Sequence, residues 1–309
     1  MRLIIISISL FSALYTLPVN GQMIDSFRLS PGVKITLDRP SRLKGTGPVQ
    51  LIIYALPNGN STEWAMGKKP VPGEDWHYDI QHIRAQTGFI RRQFRHKNFV
   101  VAYLENDLKS WPAWKKKHPD YSVIIPKLVD SLRSFFSRRK VEVHLNGHSG
   151  GGSFIFGYIG SVSKIPYYIT RISFLDSDYG YTSEYTAKLV KWLLTDKKKN
   201  LTVFAYNDAE ALYQGKRVVS DTGGTWFRSN LMMQHLSVYW QFVAHDRDSL
   251  IRYKSTTGRI QFLFKRNPDK GIYHTQQVER NGFIHSVLAG TRKEEKDYQY
   301  YGPRAYHPD

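Results

Sequence analysis

The sequence predicts an α/β fold in which helices cover both faces of a mostly parallel central β-sheet. Short apolar runs alternate along the chain with longer segments of helical periodicity, the pattern expected of repeated β-α units. The strand candidates are apolar at consecutive positions, which is typical of strands that are buried on both faces. No linker-like stretch divides the chain, so we expect one domain over residues 22–309.

The individual elements follow from these patterns in chain order. Residues 23–37 are expected to add one or two antiparallel edge strands. Apolar runs bounded by turn-forming or charged residues predict strands at 51–56, 99–104, 141–145, 172–175, 201–206 and 260–264. Apolar residues at helical spacing predict helices at 80–94, 124–136, 183–194 and 231–242, with another from 154 onward.

The N-terminus has the pattern of an export signal. Arg2 precedes an apolar run from Leu3 to Leu17, which is followed by Pro18 and then by small residues up to Gly21. The run is shorter than the roughly 20 residues that span a bilayer. We therefore predict a signal peptide over residues 1–21, export to the periplasm or the medium, and no membrane anchor after cleavage.

The amino-acid composition excludes several classes of protein and of catalytic group. The 309 residues are 41% hydrophobic, which excludes a disordered chain, and the absence of cysteine excludes disulfides, thiolate metal sites and a cysteine nucleophile. With 44 basic and 26 acidic residues the net charge is +18, which favours polyanionic partners. We expect no cofactor and no metal: His77 and His82, with Asp75 and Asp79, are better explained as surface and loop residues.

The strongest local motif is the segment Asn146-Gly147-His148-Ser149-Gly150-Gly151-Gly152. It follows a strand candidate and precedes an apolar, helical segment, which is the strand–turn–helix context of a G-x-S-x-G nucleophile elbow. The turn is so tight that the neighbours of the serine must have almost no side chain. Ser149 is therefore predicted to be a nucleophile. A plain Gly-rich turn is the alternative.

A nucleophilic serine needs a histidine base and an orienting acid, which follow it in the order acid, then histidine. We favour His285, which lies in a predicted turn after the last strand candidate, and keep His274 in reserve. For the acid we favour Asp176, with Asp208 as the alternative. Asp208 ends the later strand but is also placed to cap a helix.

The oxyanion of an acyl-transfer reaction also needs hydrogen-bond donors. One is expected to be the backbone N–H of Gly150, directly after the nucleophile. The other is expected from the loop after the strand at 51–56, where Asn58, Gly59 and Asn60 follow Pro57.

With these residues placed, the chain resembles the α/β-hydrolase superfamily of serine hydrolases. The resemblance implies a Ser149–His285–acid triad and a two-step acyl-enzyme mechanism. Within that superfamily the chain looks like exported bacterial carbohydrate esterases, including those of the pectin methylesterase type. The residues that carry this finer resemblance are Leu56-Pro57-Asn58-Gly59-Asn60, Asp75-Trp76-His77, Gln81-His82 and Trp111-Pro112-Ala113-Trp114.

These features together predict the substrate. Aromatic faces in loops stack against sugar rings, and cations hold carboxylates. The residues expected to bind substrate are Trp76, His77, Arg84, Trp111, Trp114 and Lys115. We therefore expect a serine esterase acting on an acidic polysaccharide, with methylester removal from pectin as the leading reaction. Nucleic acid is not an expected partner. The alternatives are an acetyl esterase, peptidase or lipase with the same triad, or a non-catalytic glycan-binding protein.

Overall fold

A computed structural model describes residues 22–29, 31–68, 71–73, 81–247, 249–275 and 278–294, with the backbone alone at 279 and 280. The predicted signal peptide, residues 1–21, lies outside the described residues. Within the described ranges, no helix is both long enough and apolar enough to cross a membrane.

In the described part of the chain, ten strands form one sheet in the order β1-β2-β4-β3-β5-β6-β7-β12-β11-β10. The six central strands from β4 to β12 run parallel, and antiparallel pairs lie at both edges. The strands are β1 (Gln22–Leu29), β2 (Val33–Pro40), β3 (Val49–Ala55), β4 (Asn98–Asn106), β5 (Val141–His148), β6 (Ile169–Leu175), β7 (Asn200–Tyr206), β10 (Phe242–Arg247), β11 (Leu250–Ser255) and β12 (Ile260–Lys265). A separate ribbon pairs β8 (Leu212–Tyr213) with β9 (Lys216–Arg217).

Helices pack on both faces of the sheet, as predicted. The α-helices of the described residues are α1 (Thr62–Met66), α2 (Ile83–Gln93), α3 (Trp111–Lys117), α4 (Tyr121–Ser134), α5 (Gly152–Ser161), α6 (Thr186–Thr195), α7 (Thr225–Ser237) and α8 (Phe283–Leu288). Residues of α3 to α7 belong to one hydrophobic core, and residues of α1, α2 and α8 belong to a second core.

Strand β3 shows why its residues are apolar at consecutive positions. Leu51 and Ile53 belong to the first core, while the alternate residues Ile52 and Tyr54 belong to the second. None of these four side chains is more than 1% exposed. Successive side chains of a strand point to opposite faces, so a sheet covered on both sides needs an apolar residue at every position.

The C-terminal edge differs from the prediction. The helix expected at 231–242 begins earlier, at Thr225, and ends at Ser237. The chain then forms β10 and β11, which were not predicted. Among the described strands, β10 pairs with β11 alone, and it is exposed from Val243 to Arg247. It therefore carries no apolar alternation that a sequence pattern could detect.

Candidate active site

Ser149 lies at a strained turn between β5 and α5. Its φ is +52°, a left-handed conformation that L-residues seldom adopt, and a 3-10 turn over Ser149–Gly151 leads into the helix. A Cβ on Gly150 would overlap the Asn58 side chain, and a Cβ on Gly152 would overlap the carbonyl oxygen of Ser177. The two glycines thus let the loops after β3 and β6 approach the serine closely.

Asp176, directly after β6, is paired with His274. The distance from His274 Nδ1 to Asp176 Oδ2 is 2.5 Å, and the Asp176 side chain is fully buried while that of His274 is 23% exposed. Thr225 Oγ1 donates a second hydrogen bond to Asp176 Oδ1. Because a carboxylate only accepts, Nδ1 of His274 carries the proton and Nε2 is left as the basic nitrogen.

His274 is brought to the nucleophile elbow by His148, the residue that precedes Ser149. His148 Nε2 donates to the backbone oxygen of His274 at 3.0 Å, and the two ring centroids are 4.7 Å apart. The amide of Gln81 donates to His148 Nδ1 at 3.3 Å. Burial holds the pKa of His148 well below its usual value, so its ring stays neutral beside His274.

A cavity of about 490 Å³ opens over Ser149. It is lined by Asn58, Pro112, Lys115, Ser149, Gly150, Ser153, Phe156, Ser177, Tyr179, Gly180 and Tyr185. Lys115 Nζ lies 5.2 Å from the centroid of the Tyr121 ring, and no carboxylate of the described residues pairs with it. Burial lowers the pKa of Lys115. The cavity therefore combines the Ser149 hydroxyl, aromatic walls and a cation that has no carboxylate partner among the described residues.

Two groups of the cavity are suited to hold an oxyanion. Gly150 and Asn58 both line it beside Ser149. The backbone N–H of Asn58 makes no hydrogen bond within the described ranges, so it is free to donate. In contrast, Gly59 N–H donates to Lys109 O at 2.8 Å, and Asn60 N–H donates to Pro57 O at 3.4 Å. Of the three predicted loop residues, Asn58 thus fits the role, and Gly59 and Asn60 do not supply a free backbone donor.

Asp208 caps a helix, as the sequence had allowed. Its Oδ2 accepts from Thr225 N at 2.7 Å and its Oδ1 accepts from Trp226 N at 3.2 Å, which satisfies the first turn of α7. Burial, reinforced by the negative charge of Asp176, raises the pKa of Asp208 to about 6. Thr225 Oγ1 lies 3.2 Å from Asp208 Oδ2, so Asp208 supports the residue that holds Asp176.

The structure contradicts the expectation that His285 is the base. His285 lies on α8 and is 1% exposed, and its Nε2 lies 3.2 Å from Oε1 of Gln261. Gln261 is the second residue of β12, at the amino end of that parallel strand, whereas Ser149 and Asp176 follow the carboxyl ends of theirs. The chain crosses to the other edge of the sheet between His274 and His285, and residue order alone does not reveal that crossing.

The predicted sugar-stacking tryptophans of α3 are core residues. Trp111 is 1% exposed and packs against Phe154 at 4.7 Å, while Trp114 is fully buried and donates its indole N–H to Pro31 O at 3.1 Å. Trp is among the largest apolar side chains, so burial here stabilises the fold and leaves no ring for a ligand. Their spacing of three residues places both on one helix face, a sign of core packing that the sequence already contained.

The other predicted substrate residues have mixed outcomes. Lys115 lines the cavity, whereas Arg84 lies on α2 and is not part of the lining. Trp76 and His77 lie outside the described residues, as do Asp75 and Asp79. Within the described residues, no group of three or more His, Asp or Glu side chains is arranged to hold a metal.

Two tyrosines that line the cavity were not among the residues predicted from the sequence to bind substrate. Tyr179 and Tyr185 are both half-buried there. Tyr179 belongs to the turn Asp176-Ser177-Asp178-Tyr179-Gly180, which follows β6 at the same edge as Ser149. The position of Tyr179, directly after a predicted parallel strand, is the sequence feature that could have indicated a binding role.

Comparison with known proteins identifies the fold. No family model matches the chain, and no curated protein matches it in sequence. A solved structure named FAE is 10% identical with a TM-score of 0.51, covering 94% of this chain and 98% of its own. The chain has the α/β-hydrolase fold. At this identity the likeness establishes the architecture alone.

Two further structures are similar at lower TM-scores. Siderophore hydrolase EstA from Aspergillus nidulans is 11% identical with a TM-score of 0.48, covering 90% of this chain and 99% of its own. Methylesterase BT1017 is 11% identical with a TM-score of 0.47, covering 93% of this chain and 59% of its own. In this fold, Ser149, Asp176 and His274 follow β5, β6 and β12 at one edge of the sheet.

Proposed function

We propose that this α/β-hydrolase is a serine carboxylic-ester hydrolase in which Ser149 is the nucleophile, His274 the base and Asp176 the acid. The observation that carries the proposal is the 2.5 Å pair between His274 and buried Asp176, held against the residue before a strained serine. A half-buried serine in a left-handed turn, preceded by a residue that contacts an oriented imidazole, fits the arrangement that nucleophilic catalysis requires.

The proposed reaction has two steps. Nε2 of His274 takes the proton of the Ser149 hydroxyl as the oxygen attacks the ester carbon, and the imidazolium then gives that proton to the leaving alkoxide. The alcohol departs and an acyl-Ser149 ester remains. Water then loses a proton to His274 and attacks the acyl carbon. The imidazolium returns that proton to the departing Ser149 oxygen, which releases the carboxylic acid and restores the serine. Asp176 stabilises the imidazolium in both steps.

The negative oxygen formed in both steps needs donors that are in place beforehand. Gly150 and Asn58 both line the cavity beside Ser149, and their backbone N–H groups are the donors that we propose. Loss of one such donor typically costs on the order of 100-fold or more in turnover.

For the substrate we propose an ester of an acidic polysaccharide, with the methylester of pectin as the leading candidate. Lys115 supports this choice, because it is a cation on the cavity wall with no carboxylate partner among the described residues. Tyr179 and Tyr185 supply aromatic faces for a sugar ring. A free uronate carboxylate would be held by Lys115 while a neighbouring ester reaches Ser149. The net charge of +18 favours such a polymer over a neutral lipid.

We also propose that the protein is exported and meets its polysaccharide outside the cytoplasm. The support is the pattern of the first 21 residues, with Arg2 ahead of an apolar run and small residues before Gln22. Sequencing the N-terminus of the secreted protein tests this: a chain beginning at Gln22 is expected, and a full-length chain retained in the cell would contradict it.

The reaction is tested by measuring methanol and acetate released from pectin, acetylated xylan and neutral glycans. We expect methanol from pectin, abolished in Ser149→Ala. Ser163→Ala, an exposed serine just after α5, is the matched control and should keep full activity. Acetate without methanol would refute methylester removal and favour the acetyl esterase. Equal activity of Ser149→Ala and wild type would refute the nucleophile.

A further inference from the structure

A second groove, of about 880 Å³, lies at the edge of the sheet opposite Ser149. Its wall includes Asn98, the first residue of β4, and Pro40, the last residue of the antiparallel neighbour β2. Both mark the edge where the parallel strands begin. Ser149 follows the carboxyl end of β5, so the two cavities open at opposite edges of the same sheet.

The wall of this groove is strongly basic. Its lining residues are Gln22, Pro40, Ser41, Arg42, Leu43, Lys44, Gly45, Arg91, Arg95, Lys97, Asn98 and Arg139. Six of these are cationic and none is acidic. Like charges gathered in one concave surface raise the local positive potential and attract anions.

Carboxylates of the described residues neutralise little of this charge. Arg91 pairs with Asp38 at 2.6 Å. Arg139 and Lys44 donate to backbone oxygens, which leaves their net charge uncompensated: Arg139 Nη1 to Gly45 O at 2.5 Å, and Lys44 Nζ to Arg95 O at 2.7 Å.

The remaining cations are available to a ligand. Arg42, Arg95 and Lys97 have no carboxylate partner among the residues that the structure describes, and all three are exposed. Lys97 Nζ lies over the Phe94 ring, 4.6 Å from its centroid.

The composition of the wall indicates the kind of anion. Four of the six cations are arginines, whose planar guanidinium matches the two oxygens of a carboxylate or sulfate. None of the described residues that form the wall is aromatic, so they offer no surface on which nucleic-acid bases would stack. A concave surface also suits a flexible chain better than a flat lipid bilayer.

We propose that this groove binds a segment of a polyanionic polysaccharide, remote from the ester that Ser149 cleaves. The identity of the polymer rests on the proposed function, whereas the anion site rests on the groove alone. A polymer held at the groove stays close to the protein after each cleavage, which raises the effective concentration of its remaining esters at the cavity.

The test compares two double variants with the same change in charge. Arg42→Ser with Arg95→Ser removes two groove cations, while Lys127→Ser with Lys164→Ser removes two exposed lysines outside the groove. Binding to polygalacturonate is measured by calorimetry in the Ser149→Ala background. We expect the groove variant to raise the Kd about tenfold over the control variant, with a shallower dependence on salt.

Activity toward a small ester separates this proposal from the proposed function. With p-nitrophenyl acetate, both double variants in the otherwise native chain should match wild type, since neither alters the Ser149 cavity. No hydrolysis by any of them would overturn the esterase and leave the binding result standing. Equal polygalacturonate affinities of groove and control variants would overturn the groove. Tighter binding of single-stranded RNA or of anionic vesicles, lost in the groove variant, would overturn the polysaccharide as its occupant.

Discussion

Replacing Asp176 by asparagine tests the acid of the triad with almost no change in volume. The variant removes the charge that faces His274 Nδ1 at 2.5 Å. Two unit charges about 4 Å apart at an effective dielectric constant of about 20 attract by about 4 kcal/mol. At about 1.4 kcal/mol per factor of ten, the loss corresponds to about 1,000-fold in kcat. The amide also presents an N–H to Nδ1 and favours the wrong tautomer, so we expect a fall of about 10³ to 10⁴.

The assay is kcat for p-nitrophenyl acetate, with thermal unfolding measured beside it to confirm that the variant folds. Asp208→Asn is the matched control, because Asp208 caps α7 and does not contact His274 directly among the described hydrogen bonds. We expect it to lose less than about tenfold in kcat, as a cap residue affects stability more than chemistry. A folded Asp176→Asn that keeps a tenth of wild-type activity, or a larger loss in Asp208→Asn, would refute the assignment of the acid.

Three further predictions follow from the same site. Lys115→Met should raise KM for partly de-esterified pectin by about tenfold or more and leave p-nitrophenyl acetate unaffected, because a charge-assisted contact is lost; equal effects on both substrates would argue against Lys115 as a carboxylate ligand. His148→Phe removes the 3.0 Å bond to His274 O and should lower kcat about tenfold with little change in KM, as expected of a positioning residue; an unchanged kcat in the folded variant would contradict that role. Burial, together with the negative charge of Asp176, raises the pKa of Asp208 to about 6, above its ordinary 3.8. The stability that the folded protein gains by binding a proton at Asp208 is therefore full below about pH 4 and is lost as pH rises through 6. Asp208→Asn should therefore flatten the fall in unfolding free energy between pH 4 and 6 by up to about 3 kcal/mol, measured by urea denaturation; an identical pH profile would contradict the raised pKa.

The parts of the site that were predictable are those that local sequence determines. The elbow at Ser149 follows from a strand, a tight Gly-rich turn and a helix within one short segment. The parallel sheet follows from strands such as β3, whose alternating residues must fill two cores. Asp176 follows β6 directly, so its position at the same edge of the sheet as Ser149 could be predicted once that strand was identified.

The prediction of His285 as the base was wrong because the position of each histidine depends on the path of the chain after β12, its last parallel strand. His274 lies in the loop that leaves the carboxyl end of β12, while His285 lies on α8 in the second core. The hydrogen bond from Ile284 N to Gln86 Oε1 ties α8 to α2, a contact between residues far apart in sequence. No local pattern distinguishes the two histidines, because only the packing of α8 decides which one reaches the elbow.

The prediction that Trp111 and Trp114 bind substrate was wrong for a different reason. Tryptophan serves equally well in a core and in a sugar-binding loop, so composition does not separate the two uses. Trp111 and Trp114 share one face of α3 and both are buried. The side chains that line the cavity instead include Tyr179 and Lys115. Lys115 was predicted from its charge. Tyr179 was not predicted, because its position in the cavity depends on the conformation of the turn after β6.

The most direct test is covalent labelling with a fluorophosphonate, mapped by mass spectrometry in wild type, His274→Ala and His285→Gln. Wild type should be labelled on Ser149, and His274→Ala should be labelled at least about 1,000-fold more slowly, since the serine has lost its base. His285→Gln should be less stable but label Ser149 at the wild-type rate per folded molecule. Rapid labelling of His274→Ala, or loss of labelling in folded His285→Gln, would contradict the proposed triad.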